Sequence, residues 1–407
     1  MISERRRVWI TGIGLVTPLG SDPDSFFTGL LEGRSGAAAV RSFDTSALPN
    51  HVGCEVGEVR VPGGIRRHVL GGRCCELAAV VADQAVRHAG LEGRYEGTAD
   101  LAVVVGTTMG DVAQFEAERA SHPDNPANDA DVDTLASRPL EVMARTVANM
   151  YRLSGPVLTV PAACAAGNYA LGLAASLLTR GEARAALAIG CEAFSRLAFV
   201  GFSRMRAMSP DACRPFSRGR PGLLLGEGAA AILLETEAAA SERHAEPLAF
   251  LDGFGLSCDA YHITGPRQDG AGAAAAMEQA LRRAGLAPED IDYLNAHGTG
   301  TALNDRMESV AIHKVFGDLA RRVPVSSIKA LIGHTLGAAG AIEAVASILA
   351  LRRGVIPPTW NWVEADPECD IDCVPNEPRE AKLRHVLSNS YAFGGNNSSL
   401  VLSSPTA

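Results

Sequence analysis

Residues 156–178 read PVLTVPAACAAGNYALGLAASLL, and residues 324–350 read PVSSIKALIGHTLGAAGAIEAVASILA. Each stretch begins as a short apolar strand, passes through a turn and continues as a helix of small apolar residues. The first turn carries Cys164 and the second carries His334. Because one strand–turn–helix plan occurs twice, the sequence predicts an imperfectly duplicated α/β protein whose two turns meet at a pseudo-twofold axis.

The rest of the chain alternates β-branched runs with Ala- and Leu-rich stretches of helical length, which favours layered sheets and helices. Strands are predicted at 8–12, 101–105, 157–160, 186–190, 229–234, 292–296, 323–327, 385–389 and 399–403. Helices are predicted at 75–89, 139–151, 165–180, 271–284, 306–316 and 338–352. The polar segment 112–138 is predicted to be a long surface excursion. We divide the chain into two halves, residues 1–247 and 248–407.

The composition excludes several classes of protein. Of 407 residues, 47% are hydrophobic and 20% are charged, which excludes a disordered chain and a small disulfide-stapled scaffold. The balance of 37 Lys and Arg against 46 Asp and Glu gives a net charge of −9, which argues against a nucleic-acid-binding protein. Nine cysteines without histidines at metal-ligand spacing predict free thiols and no metal site.

The apolar stretches of the chain do not resemble membrane segments. The polar, basic start of the sequence is not followed by an apolar signal core. The longest apolar stretches are rich in Gly and Ala and are interrupted by Asn168 and Glu343. We therefore expect buried helices, no contact with a membrane and a cytoplasmic location.

Cys164 lies where a strand gives way to a helix. The N-terminus of a helix presents free N–H groups and positive potential, which stabilise a thiolate and lower the pKa of the thiol. The neighbouring alanines and Gly167 leave space for a substrate to reach the sulfur. We predict a nucleophilic cysteine with a lowered pKa; the alternative is an inert cysteine buried in an Ala-rich helix.

Two further turns carry histidine. His297 is followed by Gly-Thr299-Gly-Thr301, where the glycines let a ligand approach the backbone. His334 follows Lys329, one of only three lysines in a chain that otherwise uses arginine. Both histidines are candidate site residues, although a turn histidine is also found satisfied by hydrogen bonds within its own turn.

A fourth turn, Phe393-Gly394-Gly395-Asn396, follows a predicted strand near the end of the chain. Such a turn can present backbone N–H donors to an oxyanion, and its aromatic ring can line an apolar pocket. The alternative is an ordinary tight hairpin.

A thiol, two imidazoles and a lysine suit the formation of a carbon–carbon bond between thioesters. Cysteine forms a thioester and thereby splits a difficult acyl transfer into two steps. Two neutral imidazoles can donate N–H to one carbonyl oxygen and stabilise an enolate. A hydrolase needs only one base beside its nucleophile, so a second histidine would be superfluous there.

Taken together, the four motifs resemble the condensing enzymes, in particular the β-ketoacyl-acyl carrier protein synthases of the KAS I/II (type II ketosynthase) branch. The similarity extends from Val8 to Asn397. It implies the α/β thiolase fold, with duplicated α/β halves in a five-layer αβαβα arrangement, and a dimer. The chain departs from the family pattern at Ser217, Tyr391-Ala392 and Asn396, all outside the predicted catalytic residues.

The resemblance also implies a mechanism. Cys164 would take an acyl group from the phosphopantetheine of an acyl carrier protein, and no other cofactor is needed. His297 and His334 would stabilise the enolate left when a malonyl group loses CO2. Lys329 would organise the histidines, with Glu308 as its ion partner. Backbone N–H groups of Cys164 and Phe393 would form the oxyanion hole.

Other positions match the family's binding residues. Those implied to contact substrate are Thr264, Thr299, Thr301, Phe202, Phe393, Gly394, Gly395 and Asn396, with Phe202 in the acyl pocket and Phe393 as a gate. Carrier proteins are acidic, so an anionic synthase needs a basic dock, which Arg66, Arg67 and Arg206 would supply.

Two alternatives stay open at this point. The pathway is polyketide assembly of the reduced or polyene type, or housekeeping fatty-acid elongation. The dimer is a homodimer, or a heterodimer with a chain-length-factor-like homologue. A non-catalytic chain-length-factor-like role for this chain is disfavoured, because such subunits lack the nucleophile that Cys164 supplies.

Overall fold

The computed structural model describes residues 7–61, 63–66, 68–121 and 140–407. In chain order the strands are β1 (Val8–Val16), β2 (Ala38–Ala39), β3 (Val52–Gly53), β4 (Leu101–Gly106), β5 (Val157–Val160), β6 (Ala185–Glu192), β7 (Gly228–Thr236), β8 (Ala249–Cys258), β9 (Tyr293–Asn295), β10 (Val325–Ser326), β11 (Val355–Ile356), β12 (Arg379–Glu380), β13 (His385–Tyr391) and β14 (Asn396–Ser403). The α-helices are α1 (Pro23–Glu32), α2 (Gly63–Arg66), α3 (Arg73–His88), α4 (Val112–Ala120), α5 (Val142–Met150), α6 (Ala166–Thr179), α7 (Arg196–Arg204), α8 (Glu237–Glu242), α9 (Ala271–Ala284), α10 (Ala302–Phe316), α11 (Lys329–Ile332) and α12 (Ala339–Arg353).

Ten strands pair in the order β5-β4-β6-β7-β1-β8-β14-β13-β9-β10. Each half contributes five of these ten strands. When those five are numbered 1 to 5 in chain order, both halves have the order 3-2-4-5-1 from the outer edge inward. The strand directions also match, because the outer pairs are parallel and the inner pairs are antiparallel in both halves. The predicted duplication is therefore confirmed at the level of topology.

Each half-sheet is buried on both faces, because alternate residues of its strands enter different apolar clusters. In β4, Val104 packs in the central cluster with α6 and α12, whereas Val103 faces the outer helices α3 and α5. In β14, Leu400 enters the central cluster and Val401 the cluster of α9 and α10. The layers are thus outer helices, half-sheet, central helices, half-sheet and outer helices, which confirms the predicted five-layer fold.

The two central helices, α6 and α12, cross at a glycine of each helix, Gly167 and Gly340. A Cβ added to Gly167 in α6 would lie 2.6 Å from Ala341 N in α12. A Cβ added to Gly340 in α12 would lie 2.6 Å from Asn168 Oδ1 in α6. This close approach brings the N-termini of α6 and α12, and therefore the turns that precede them, next to each other.

The ten-residue strand β8 escapes the sequence prediction because it contains no β-branched residue and carries two glycines, Gly253 and Gly255. Both glycines make room for α9: an added Cβ would lie 2.2 Å from Ala280 O and 1.9 Å from Ala276 O, respectively. In the predicted surface excursion, Val112–Ala120 forms the helix α4, and 122–138 lies outside the described residues. No helix in the described ranges combines the length and the apolar character that crossing a bilayer requires.

Candidate active site

A cavity of about 440 Å³ opens where the two halves meet, and Cys164, His297 and His334 all line it. The ring centroids of the two histidines lie 5.2 Å apart, with their planes at 83°. Of the other residues implied to bind substrate or carrier protein, Phe202, Arg206, Thr264, Thr299, Thr301 and Phe393 line the same cavity. Gly394, Gly395 and Asn396 do not line it. The sequence analysis did not identify Asp259, Tyr391 or Asn397, which do.

The turns that carry Cys164 and His334 have the same backbone conformation. Ala163 and Leu336 adopt left-handed φ angles of 47° and 46°, each at the start of a one-turn 3₁₀ helix that leads into α6 or α12. This conformation is strained for a residue with a side chain and persists only where its surroundings enforce it. At the first turn, Ser390 Oγ donates a hydrogen bond of 3.0 Å to Cys164 O. Conserved geometry in both turns extends the duplication to the site itself.

The Cys164 thiol is only 5% exposed. Burial raises the pKa of Cys164 to about 12, and the Lys329 charge and the backbone N–H groups of Phe393 and Cys164 only partly offset this. The prediction of a lowered pKa is therefore wrong, because loss of solvation outweighs the favourable potential at the start of the helix. The raised pKa keeps the Cys164 side chain a neutral thiol at pH 7.

The backbone N–H groups of Phe393 and Cys164 lie close enough to the Cys164 sulfur to lower the pKa of its thiol. Phe393 is held by its turn: Gly394 and Gly395 both adopt φ of 79°, and Gly394 N donates to Ile263 O at 2.9 Å. Two converging N–H donors beside the nucleophile are the arrangement that an oxyanion hole requires.

Both histidines are neutral at pH 7. Burial is the main cause that holds the pKa of each imidazole well below its usual range, and the Lys329 charge adds to it. The neighbouring His334 lowers the pKa of His297 further. Lys329 Nζ lies 3.4 Å from His297 Nδ1 and donates to His297 O at 2.7 Å. An ammonium group has no lone pair, so Nδ1 must accept and Nε2 carries the proton of the His297 ring. His297 is thereby set as an N–H donor.

Lys329 forms its ion pair with Glu343 of α12, and both side chains are fully buried. The implied pairing of Lys329 with Glu308 is wrong, because the Glu308 carboxylate is already occupied. It accepts hydrogen bonds from His297 N at 2.9 Å and Gly298 N at 2.8 Å. Glu308 therefore fixes the backbone of the His297 turn, and Glu343 fixes the lysine.

The three docking candidates differ in their surroundings. Arg206 lies at the mouth of the cavity with an exposed side chain. Arg66 is exposed and pairs with Glu76 at 3.2 Å. Arg67 lies outside the described residues.

All nine cysteines lie in the described ranges and are free thiols; Cys258 alone is exposed. Its sulfur lies 3.6 Å from Gly394 O, beside the Phe393 turn. In the described part of the chain, no group of three or more His, Cys, Asp or Glu side chains is arranged to hold a metal ion.

Alkylation of Cys164 should accelerate with pH. Because its pKa is raised to about 12, the thiolate fraction should grow about tenfold per pH unit between pH 6 and 9 without reaching a plateau. Iodoacetamide kinetics, followed by mass spectrometry of the Cys164 peptide in a Cys258→Ser background, measure this rate. A plateau below pH 8 would show that the thiol ionises readily and would contradict the raised pKa.

Comparison with known proteins identifies related sequences and structures. The family models described as "Beta-ketoacyl synthase, N-terminal domain" and "Beta-ketoacyl synthase, C-terminal domain" match residues 5–240 and 248–363. The 3-oxoacyl-[acyl-carrier-protein] synthase 2 of Coxiella burnetii (strain RSA 493 / Nine Mile phase I) is 39% identical, over 98% of this chain and 99% of the relative.

Two solved structures are similar over nearly the whole chain. The ishigamide ketosynthase/chain length factor is 38% identical, with a TM-score of 0.89, covering 98% of this chain and 99% of the other. The second structure is a complex of a type II polyketide synthase acyl-carrier protein with its ketosynthase bound to the hexaketide. A chain of this complex is 30% identical, with a TM-score of 0.87, covering 98% of this chain and 100% of the other.

Proposed function

Since the chain belongs to the β-ketoacyl synthase family, an acyltransferase family that forms carbon–carbon bonds, we propose that it condenses a malonyl thioester with an acyl group held on Cys164. The observation that carries this proposal is the convergence of Cys164, His297 and His334 on one cavity. One sulfur nucleophile and two neutral imidazoles are the groups that the two half-reactions need.

In the first half-reaction, Cys164 Sγ attacks an acyl thioester carried on the phosphopantetheine arm of an acyl carrier protein. The N–H groups of Cys164 and Phe393 stabilise the oxyanion, and the carrier thiol leaves with the proton that the cysteine gives up. The Thr299–Thr301 hydroxyl pair, 2.8 Å apart, and Thr264 line the cavity where the arm enters.

In the second half-reaction, a malonyl group on the carrier protein loses CO2, and its thioester oxygen becomes an enolate. His297 and His334 donate hydrogen bonds to that oxygen, and Lys329 keeps His297 in the donor form. The enolate carbon attacks the carbonyl carbon of the Cys164 thioester, the bond to Cys164 Sγ breaks, and the thiolate takes a proton from water. The β-ketoacyl chain, two carbons longer, stays on the carrier protein.

The proposed pathway is type II polyketide assembly of the reduced or polyene type; similarity to a ketosynthase of a type II polyketide synthase and to a ketosynthase/chain length factor supports polyketide assembly. The 39% identity to a 3-oxoacyl-[acyl-carrier-protein] synthase 2 favours fatty-acid elongation as the second candidate. The test is condensation of malonyl carrier protein with saturated and polyenoyl carrier substrates of equal length, with products measured by mass spectrometry. Faster turnover of the polyenoyl series supports the first candidate, and faster turnover of the saturated series supports the second.

The proposed partners are an acyl carrier protein and a second subunit. An acyl-carrier protein accompanies one similar ketosynthase, and a chain length factor accompanies another. Among the described residues, no strand pairs with the outer edge of β5, where Leu158 is 37% exposed, and such an edge is suited to pairing with another chain. Native mass spectrometry of the protein, expressed alone and with a chain-length-factor-like homologue, distinguishes a homodimer from a heterodimer.

Charge reversal at the proposed dock, Arg66→Glu with Arg206→Glu, should raise the KM for carrier protein about tenfold, because two attractive contacts become repulsive. Acyl transfer to Cys164 from a small soluble thioester should change much less than the KM for carrier protein, because that substrate passes Arg206 at the mouth of the cavity but does not need the dock. Arg321→Glu, which removes an exposed arginine far along the chain from these positions, is the control. An unchanged KM for carrier protein would exclude this surface as the dock.

A further inference from the structure

Glu192, the last residue of β6, is fully buried between the two halves. Its Oε2 accepts hydrogen bonds from Thr108 N at 2.7 Å and from Gly337 N at 3.0 Å, and its Oε1 accepts one from Met109 N at 2.9 Å. Thr108 and Met109 follow β4 in the first half, whereas Gly337 belongs to the turn that carries His334 in the second. One carboxylate therefore ties a loop of one half to a catalytic turn of the other.

The opposite half does the same with a different residue. Ser390 lies near the end of β13, the strand that corresponds to β6, and its hydroxyl donates to Cys164 O in the first half. Each half thus uses the end of its fourth strand to hold the catalytic turn of its counterpart. The role of Ser390 is to hold the nucleophile turn, and the role of Glu192 is to hold the His334 turn.

The turn and the loop that Glu192 joins are packed too tightly to shift independently. A Cβ added to Gly337 would lie 2.5 Å from Thr108 N. Without an acceptor at Glu192, the N–H groups of Thr108, Met109 and Gly337 would lack their partners in the interior, which is costly. The turn would move to satisfy them, and the His334 ring, three residues before Gly337, would move with it.

We propose that Glu192 is a positioning residue for the condensation step, which it serves by fixing His334 relative to Cys164 through Gly337. This inference rests on the proposed function, in which His334 stabilises the enolate. Loss of Glu192 should therefore affect the two half-reactions differently, because loading of Cys164 does not use the His334 ring as a donor to the enolate.

The negative charge of Glu192 also acts on Cys164, where it makes the thiol harder to ionise. Burial raises the pKa of Glu192 to about 7, against the three N–H donors that stabilise its carboxylate. The carboxylate in turn raises the pKa of the Cys164 thiol. Replacing Glu192 by a neutral side chain should therefore leave Cys164 at least as reactive toward iodoacetamide as it is in the unaltered protein.

The experiment compares Glu192→Gln with Glu235→Gln in condensation and in alkylation. Glu235 is fully buried, as Glu192 is, and forms an ion pair with Arg243. It lies in β7 opposite Ala185, at the other end of β6 from Glu192. For Glu192→Gln we expect kcat for condensation of octanoyl with malonyl carrier protein to fall about 10- to 100-fold, with KM within about twofold. We expect the alkylation rate of Cys164 to be equal or higher. Glu235→Gln should change none of these, when rates are normalised to folded protein.

Each outcome decides the inference. An unchanged kcat in Glu192→Gln, or parallel losses of condensation and alkylation, would overturn the positioning role. If the glutamine variant does not fold, Glu192→Asp, which keeps the charge but shortens its reach, should show the same fall in kcat; full activity there would overturn the role. Absence of any β-ketoacyl product from the unaltered protein would instead overturn the proposed function, and this inference with it.

Discussion

Replacement of Cys164 by alanine should abolish the transfer of acyl groups to this protein. The side chain supplies the only thiol among the described residues that line the cavity, and alanine has no atom able to form a thioester. After incubation with octanoyl carrier protein, the unaltered protein should gain the mass of one acyl group. The variant should gain none, and its condensation rate should fall below detection.

The matched control is Cys75→Ala, which removes another buried thiol from a helix, in the outer layer. It should load as the unaltered protein does, because Cys75 does not line the cavity. Acyl transfer to the Cys164→Ala variant would show that the nucleophile lies elsewhere, and the assignment of the site would have to be abandoned.

Replacement of His334 by alanine should separate the two half-reactions. The variant retains Cys164 and both proposed oxyanion-hole N–H groups, so its mass should still rise by one acyl group. Condensation should fall by about 10²- to 10³-fold, as expected for loss of one donor to a developing oxyanion. Intact-mass measurement follows loading, and detection of the β-ketoacyl product follows condensation.

His385→Ala is the control for this variant. His385 lies in β13 and bonds to Ser403 Oγ at 2.9 Å, outside the cavity, so both half-reactions should proceed normally. If His334→Ala condensed at the normal rate, His297 alone would suffice for the enolate, and the two-imidazole mechanism would be wrong. Loss of loading would instead show that His334 also acts in the first half-reaction.

The sequence predicted the fold because the features that decide it are local. The paired strand–turn–helix stretches are visible as patterns of small and β-branched residues, and a strand order repeated in both halves follows from repeating one plan. Strand β8 and the helices α1 and α7 are not among the predicted elements. In β8, Gly253 and Gly255 serve the packing of a helix that local patterns do not reveal.

The sequence identified Cys164, His297 and His334, which converge on the cavity, but not how they are held. Lys329 and Glu308 carry opposite charges, yet α12 places Glu343 nearer to the lysine, and only the packed structure reveals that choice. The raised pKa of Cys164 likewise reflects burial by both halves, which no feature of the turn itself encodes. Glu192 had no sequence signal, because its hydrogen-bond partners come from two segments more than 200 positions apart.

The exposed sulfur of Cys258 makes movement of the Phe393 turn open to direct observation. The other eight thiols are buried, so a maleimide fluorophore applied briefly at neutral pH would attach at one place on the native protein. The dye would sit against Gly394, and a change in its emission on addition of a substrate would report a movement of the turn. The natural chain thus already contains a labelling position for time-resolved fluorescence, without an engineered cysteine.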